Sequence, residues 1–408
     1  MQSAITSEFF MRLLALDTIH GGEVIASALR EQGFSVDCVD VYRSEVGISP
    51  EDAFQKVYSC CIAPVHLDPA YPLLHAGLPV ITHHQAAGIL IGSAKPHPMI
   101  EITGARGKTT TAYALAHLMG SVGILHTSSG TIQYPKKQKL ARTSITPASL
   151  IAPARQAYAL GGWFIGECSL GVSGMGDLGI LTSADDYPIA GKKRSACATK
   201  CDALKVCRQV LLPDDIRLDH HPDQHAVGDI VSIERDRLIY DYGSISGSFD
   251  HPLLHLKGYC YPLMFATAAA CLLGIDPAPL SSFEPLPGRM RTEIEDGCLI
   301  VDASNSGTTW ETTLESAEYA RRLQPDSPLH LVIGQDQHAV CENFAESDIR
   351  RAIEIIHPDI LTLVLMNPNE ESISGYPGAT LASSLDEARR KAPREPGTIL
   401  LLAVKTWR

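Results

Sequence analysis

The stretch Ile102-Thr103-Gly104-Ala105-Arg106-Gly107-Lys108-Thr109-Thr110-Thr111 decides how the rest of the chain is read. Apolar residues from Met99 to Thr103 predict a short strand, the two glycines a tight turn, and Thr110 to Met119 a helix. With Gly107-Lys108-Thr109 at the turn, this strand, glycine turn and helix read as a phosphate loop. Its backbone N–H groups approach phosphate oxygens, the helix N-terminus adds positive potential, Lys108 reaches the β- and γ-phosphates, and the Thr109 hydroxyl ligates Mg²⁺. The general pattern G-x-x-x-x-G-K-[ST] is not met strictly, because Ile102 stands where its first glycine would fall. The expected nucleotide-binding residues are Gly104, Ala105, Arg106, Gly107, Lys108, Thr109 and Thr110.

Outward from this loop, strand-like and helix-like segments alternate on both sides. Upstream, Leu13–Asp17, Gly22–Gln32 and Val36–Val41 begin a rhythm that ends with Val80–Thr82, predicting a small α/β substrate-binding domain over 11–97. Pro96 and Pro98 open a central ATP-binding domain, 98–286, which closes at the linker Phe283-Glu284-Pro285-Leu286-Pro287-Gly288. Beyond it, 287–408 alternates apolar strands (Leu299–Asp302, Leu329–Ile333, Leu361–Met366, Ile399–Val404) with helices (Thr309–Leu323, Ala345–Ile356, Leu385–Lys391). That order predicts a parallel sheet covered on both faces, a Rossmann-like layer.

Composition agrees with an α/β chain of two or three domains: 408 residues at roughly 150 per domain. A net charge of −12, with 45% hydrophobic and 20% charged residues, excludes large-scale disorder. It also offers no bulk attraction to nucleic acid or anionic membrane, so the expected partner is a small molecule. No apolar run is long enough to span a bilayer, and the first residues lack a basic segment ahead of an apolar one, so a cytoplasmic location is expected. The 11 cysteines are odd in number, and Cys38, Cys60, Cys61 and Cys298 sit singly in apolar surroundings, which implies free thiols.

Two further strands end in polar groups: Trp163-Phe164-Ile165-Gly166-Glu167 and Ile180-Leu181-Thr182-Ser183-Ala184-Asp185-Asp186-Tyr187. A carboxylate at the C-terminal end of a strand beside a phosphate loop is where a hard cation finds oxygen ligands, so Glu167 is the expected Mg²⁺ ligand with Thr109. Read alone, Lys200 is a solvated helix lysine. The turn Asp17-Thr18-Ile19-His20-Gly21-Gly22 either receives an anionic group at a helix N-terminus or is simply tight.

The shortened loop, the Glu167 strand, Pro287-Gly288-Arg289-Met290 and the Asp302 strand follow the order seen in the Mur ligase superfamily, and the chain resembles it over roughly residues 98–408. The resemblance implies a three-domain architecture with a central P-loop ATPase domain and a C-terminal Rossmann-like domain. It also implies activation of a carboxylate by ATP as an acyl phosphate. The loop typical of those ligases, T-G-T-N-G-K-T-T, is kept at Thr103, Gly104, Gly107, Lys108, Thr109 and Thr110. Carried over by position, Lys108 and Thr109 hold phosphate and Mg²⁺, Glu167 ligates metal, Arg289 contacts nucleotide and Asp302 binds ribose. Lys200 falls near the superfamily's lysine that is carbamylated to bind a second Mg²⁺. Lys108, Glu167 and Lys200 are thus the implied catalytic set. The superfamily's histidine after Asp186 is replaced by Tyr187, and its His-Asn adenine motif by Gly258-Tyr259-Cys260-Tyr261.

The N-terminal motifs Leu16-Asp17-Thr18-Ile19-His20-Gly21-Gly22, Val39-Asp40-Val41-Tyr42-Arg43, Ala63-Pro64-Val65-His66-Leu67-Asp68-Pro69 and Ile81-Thr82-His83-His84 narrow the likeness. With Glu101-Ile102-Thr103-Gly104 they resemble the coenzyme F-430 synthetases of methanogenic archaea, over essentially the whole chain after Phe10. That family implies activation of a propionate side chain of a nickel seco-tetrapyrrole, followed by attack of a ring carbon and closure of a carbocycle. Nickel enters only as part of the substrate. His20, Arg43, His66, His83 and His84 are the expected substrate contacts. The alternatives are a Mur-type amide ligase joining an amino acid to a carboxylate, a nucleotide-gated tetrapyrrole carrier without catalysis, and a plain P-loop ATPase. The oligomeric state is left undetermined. Asp219-His220-His221-Pro222-Asp223-Gln224-His225 reads as a solvated turn in preference to a metal site. Cys197, Cys201 and Cys207 match no iron–sulfur spacing.

Overall fold

A computed structural model describes residues 11–43, 46–336, 344–365, 376 and 378–406. The expectation drawn from the first residues, and the end of the expected strand at Met366, lie outside the described residues. The chain divides into two compact units: one runs up to Leu254 and includes Tyr261–Ser281, the other joins His255–Cys260 to Ser282 and beyond. The expected boundary near residue 97 separates two sheets within the first unit. Among the described residues no helix is long and apolar enough to cross a membrane.

The first sheet has four parallel strands in the order Ser35–Val39, Arg12–Leu16, Cys60–Ala63, Val80–Thr82. Its strands bury both faces. Ala15, Val36, Cys38 and Ile62 pack with Ile25 and Leu29 on one side. Leu14, Leu16, Val39 and Cys61 pack with Leu67 and Leu73 on the other. Such two-sided burial is why these strands read as near-continuous apolar runs.

The second sheet has eight strands, ordered Gln224–Ala226, Gln209–Leu212, Leu178–Leu181, Met99–Thr103, Trp163–Glu167, Gly123–Thr127, Gly130–Tyr134, Gln138–Ala141. The first six are parallel, and Gly130–Tyr134 and Gln138–Ala141 add an antiparallel flank. Met99–Thr103 lies in the middle with every residue buried, so the phosphate loop emerges from a fully enclosed strand. Gly123 has a packing role: a Cβ there would lie 2.1 Å from the Trp163 indole. A three-stranded antiparallel sheet, Val231–Glu234, Arg237–Tyr242 and Ile245–Asp250, follows. Neither antiparallel piece is signalled by the strand–helix rhythm.

The second unit carries a six-stranded sheet ordered Arg291–Glu295, Cys298–Asp302, Ile399–Lys405, Leu329–Gln335, Ile360–Val364, Thr380–Ala382. Five strands are parallel, but Arg291–Glu295 runs antiparallel to Cys298–Asp302. The all-parallel expectation is corrected at this edge, where the two-residue turn Asp296-Gly297, with φ of 51° and 79°, closes a hairpin. Helices lie at Trp310–Leu323, capped by Thr309, and at Glu346–Ile356 and Leu385–Lys391. Thr309 and Ser384 cap the first and last of these helices, each hydroxyl satisfying an otherwise unpaired N–H of the first turn.

Candidate functional site

The phosphate loop is built by backbone chemistry. Gly104 sits at φ 146° and Gly107 at φ 82°, both awkward for a residue with a Cβ. A Cβ on Gly104 would lie 2.2 Å from Thr182 Oγ1. Gly107 is the N-cap of the helix Lys108–Leu118, which starts two residues before the expected Thr110. The N–H groups of Ala105 and Arg106 both donate to Ser183 Oγ, at 3.0 and 3.2 Å. The Thr182 hydroxyl bonds the carbonyls of Thr103 and Arg106. Thr182 and Ser183 therefore fasten the loop to the neighbouring strand end. Sequence reading had placed them there without giving them a role.

Lys108, Thr109 and Glu167 converge. Thr109 Oγ1 donates to Glu167 Oε2 at 2.9 Å, and Ser128 N donates to the same oxygen at 3.1 Å. Lys108 Nζ lies 3.8 Å from Glu167 Oε1 and donates to Gly104 O at 3.0 Å. Glu167 is buried at the C-terminal end of its strand. A hydroxyl and a carboxylate oxygen side by side, with an ammonium next to them, make a hard-oxygen donor set of the kind Mg²⁺ takes. Ser128 entered no motif. A Ser-Ser-Gly turn after a strand was the available signal.

Lys200 departs from its solvated reading. It is 1% exposed, and its Nζ has no hydrogen-bond partner among the described residues. The ammonium lies 4.7 Å above the Tyr187 ring. Burial, and then repulsion from Lys108, push its pKa below the ordinary lysine value. Asp186 caps the same region, its Oδ1 accepting from Ser195 Oγ and Cys197 N at 2.8 Å each.

At the C-terminal ends of the first sheet, two aspartates each close a turn. Asp17 Oδ1 accepts from Ile19 N and His20 N, both at 3.1 Å. Asp40 Oδ1 accepts from Tyr42 N and Arg43 N, both at 3.1 Å. With Ile19 N and His20 N on its carboxylate and Gly22 N on its carbonyl, Asp17 closes the segment as a tight turn. Gly21 packs against Ala148, where a Cβ would come within 2.7 Å. Asp17 also draws in His20 and His66, while Arg43 is exposed.

His83 and His84 begin the helix His83–Ile91 and are buried, at 1% and 3% exposure. His83 Nε2 donates to Leu16 O and His84 Nε2 to Ser169 O, each at 2.9 Å. Burial pushes both down to about 4. As placed, they brace the strand end and the Ser169 loop and present no surface to a ligand, which corrects their expected substrate contact. In the 219–225 turn, His221 donates to Cys207 O at 3.0 Å and His225 meets Asp223 at 2.8 Å. These bonds secure the turn. The described cysteines are free.

In the second unit, Asp302 ends its strand and accepts from Ser304 N at 3.1 Å. Arg289 is half-buried. The Tyr259 hydroxyl accepts from Leu286 N at 2.8 Å and donates to Arg289 O, holding the turn that carries Arg289. Tyr259 thus has a structural role within the segment that replaces the adenine motif.

Residues 292–406 match the family model described as the C-terminal domain of coenzyme F430 synthetase CfbE. The chain is 28% identical, over 98% of its length and 99% of the relative's, to coenzyme F(430) synthetase of Methanosarcina acetivorans. Among solved structures, E. coli FolC in complex with DHPP and ADP matches with a TM-score of 0.57 at 13% identity, covering 80% of this chain and 90% of that one. UDP-N-acetylmuramate-alanine ligase MurC of Thermotoga maritima matches with a TM-score of 0.52 at 12% identity, covering 97% and 96%. The end-to-end similarity and the shared architecture bear out the resemblance drawn from the motifs: the chain is similar over nearly its whole length to a coenzyme F(430) synthetase and has the Mur ligase fold.

Proposed function

We propose that the protein is an ATP-dependent ligase that activates a propionate side chain of a nickel seco-tetrapyrrole as an acyl phosphate and closes a carbocyclic ring by intramolecular carbon–carbon bond formation. The observation that carries this reading is the convergence of Lys108, Thr109 and Glu167 at the phosphate loop in a chain similar over nearly its whole length to a coenzyme F(430) synthetase.

A carboxylate and a triphosphate repel one another, so the protein must neutralise charge while aligning the reacting oxygens. Lys108 and the N-terminus of the helix Lys108–Leu118 supply positive potential at the loop. Thr109 and Glu167 would hold Mg²⁺, which supplies Lewis acidity and screens phosphate charge. Lys200, buried and with its pKa lowered, suits carbamylation: the neutral amine adds CO₂ and releases a proton to solvent, and the resulting anion takes the place of a cation repelled by Lys108. Arg289 and Asp302 are the proposed nucleotide and ribose contacts. The carbon nucleophile belongs to the same substrate molecule, so the protein needs only to fold the side chain over the macrocycle and exclude water. His20, Arg43 and His66 are the proposed contacts in the first sheet, and we place the reaction in the cytoplasm.

The test is a mass and absorbance assay of the purified protein with nickel seco-tetrapyrrole acid, ATP and Mg²⁺, with Lys108→Ala as control. Loss of one water from the tetrapyrrole, matched by ADP and phosphate and abolished in the variant, is the expected result. An unchanged tetrapyrrole, with ATP hydrolysis stimulated instead by an added amino acid, would assign an amide ligase. Tetrapyrrole binding without any covalent product would assign a carrier.

A further inference from the structure

Among the described residues, one group of His, Cys, Asp and Glu side chains has a metal-site arrangement: Asp17, His20 and His66, whose donor atoms lie within 4.8 Å of one another. Its geometry is asymmetric. Asp17 is fully buried at φ 69°, a left-handed conformation that aspartate tolerates when its side chain bonds the local backbone. One carboxylate oxygen is spent on Ile19 N and His20 N, and the other lies 2.8 Å from His20 Nδ1. A carboxylate only accepts, so Nδ1 bears the proton and the lone pair is left on Nε2. The His20 side chain is 46% exposed, and its Nε2 makes no hydrogen bond among the described residues.

The ring is also held from its sides. The planes of His66 and Tyr42 lie within 10° of each other, with centroids 6.3 Å apart. His20 stands edge-on to both, at 84° and 4.9 Å from His66 and at 86° and 5.4 Å from Tyr42. His66 Nε2 approaches Asp17 Oδ2 to 3.2 Å but is not aligned as a hydrogen bond. An imidazole whose one nitrogen donates to a buried carboxylate, leaving the lone pair of the other to bind, is the arrangement that orients histidine ligands.

We propose that His20 Nε2 is an axial ligand to the nickel of the tetrapyrrole, with Asp17 as the positioning residue that sets its tautomer and angle. This rests on the substrate class proposed above. Nickel in a planar macrocycle keeps positions above and below the ring, and imidazole suits it. Axial ligation leaves the Asp17–His20 hydrogen bond intact, whereas a free ion gripped by all three side chains would have to replace it. A metal–imidazole bond would also fix the depth and tilt of the flat macrocycle beside Tyr42 and His66, while carboxylate contacts at the rim would set its rotation about that bond.

The experiment is nickel X-ray absorption on the full chain with nickel seco-tetrapyrrole acid, without ATP, after gel filtration to measure retention. Wild type is expected to retain the macrocycle and show outer-shell scattering from an imidazole. His20→Ala should bind roughly 10- to 100-fold more weakly and lose that scattering, and added free imidazole should restore it. Asp17→Asn keeps an acceptor for the turn and tolerates the left-handed conformation; it should stay folded and weaken binding in the same direction. Retention with no imidazole scattering, or with the same scattering in His20→Ala, overturns the nickel ligand and leaves the substrate class standing. No retention by wild type overturns both. Stoichiometric uptake of free Ni²⁺ that needs His66 as much as His20 overturns the axial assignment in favour of a three-residue ion site.

Discussion

Thr109 Oγ1 and Glu167 Oε2, 58 positions apart in the chain, are joined by a buried 2.9 Å hydrogen bond between the first turn of the phosphate-loop helix and the end of the adjacent parallel strand. The pair holds the two proposed Mg²⁺ donors together through protein contacts alone. A hydrogen bond to a carboxylate contributes about 1.5–3 kcal/mol, so the donor set is held before ligand arrives.

Replacing Glu167 with Gln keeps size and hydrogen bonding but removes the charge. Product formation should fall by roughly 10²- to 10³-fold, with the Mg²⁺ requirement moved to higher concentration. Steady-state kinetics over a Mg²⁺ series checks this, and an unchanged Mg²⁺ dependence would remove Glu167 from the metal site.

Thr109→Val takes the hydroxyl from the same pair and leaves Glu167 with Ser128 N. A loss of about 1–3 kcal/mol in stability is expected alongside loss of activity. Urea unfolding measures the first and phosphate release the second. Full stability with full activity would sink the pairing.

Lys200 is a buried ammonium without a hydrogen-bond partner among the described residues. Lys200→Met should keep or raise the melting temperature, because an apolar chain of similar length is no worse there. It should nevertheless abolish turnover. Lys200→Ala should regain part of its activity with a short-chain carboxylic acid that replaces the carbamate, and wild type should lose activity when CO₂ is stripped. Indifference to both additions would show that Lys200 acts unmodified.

His83 and His84 are held neutral, at about 4 against an ordinary 6.5. The unfolded chain takes up protons below 6.5 that the folded chain refuses, so this contribution is complete above pH 6.5 and is lost as pH falls towards 4. Each is worth on the order of 3 kcal/mol once the window is crossed. Buried Glu101, whose pKa is raised, works in the opposite sense: it favours the fold at low pH and gives that up as pH rises. The check is therefore a difference. Unfolding free energy measured from pH 7.5 to 4.5 should fall less steeply in His84→Gln than in wild type, and parallel slopes would contradict it.

The phosphate loop was legible because its parts are contiguous: strand, two glycines with positive φ, and helix lie within Met99–Leu118. The helix spans were nearly as plain, as at Trp310–Leu323 and Leu385–Lys391, since apolar periodicity is a local property. Tertiary structure decided the rest. Only the parallel pairing of Met99–Thr103 with Trp163–Glu167 brings Glu167 to Thr109. Lys200, solvated by its helix sequence, is buried beside Tyr187, and His83 and His84, expected at a surface, are enclosed through contacts with Leu16 and Ser169. Tyr42 gained its place beside His20 and His66 only when three strand ends met. Local sequence encodes backbone geometry and hydrogen-bonding capacity, whereas burial, and with it pKa and ligand reach, depends on which distant segments pack against a side chain.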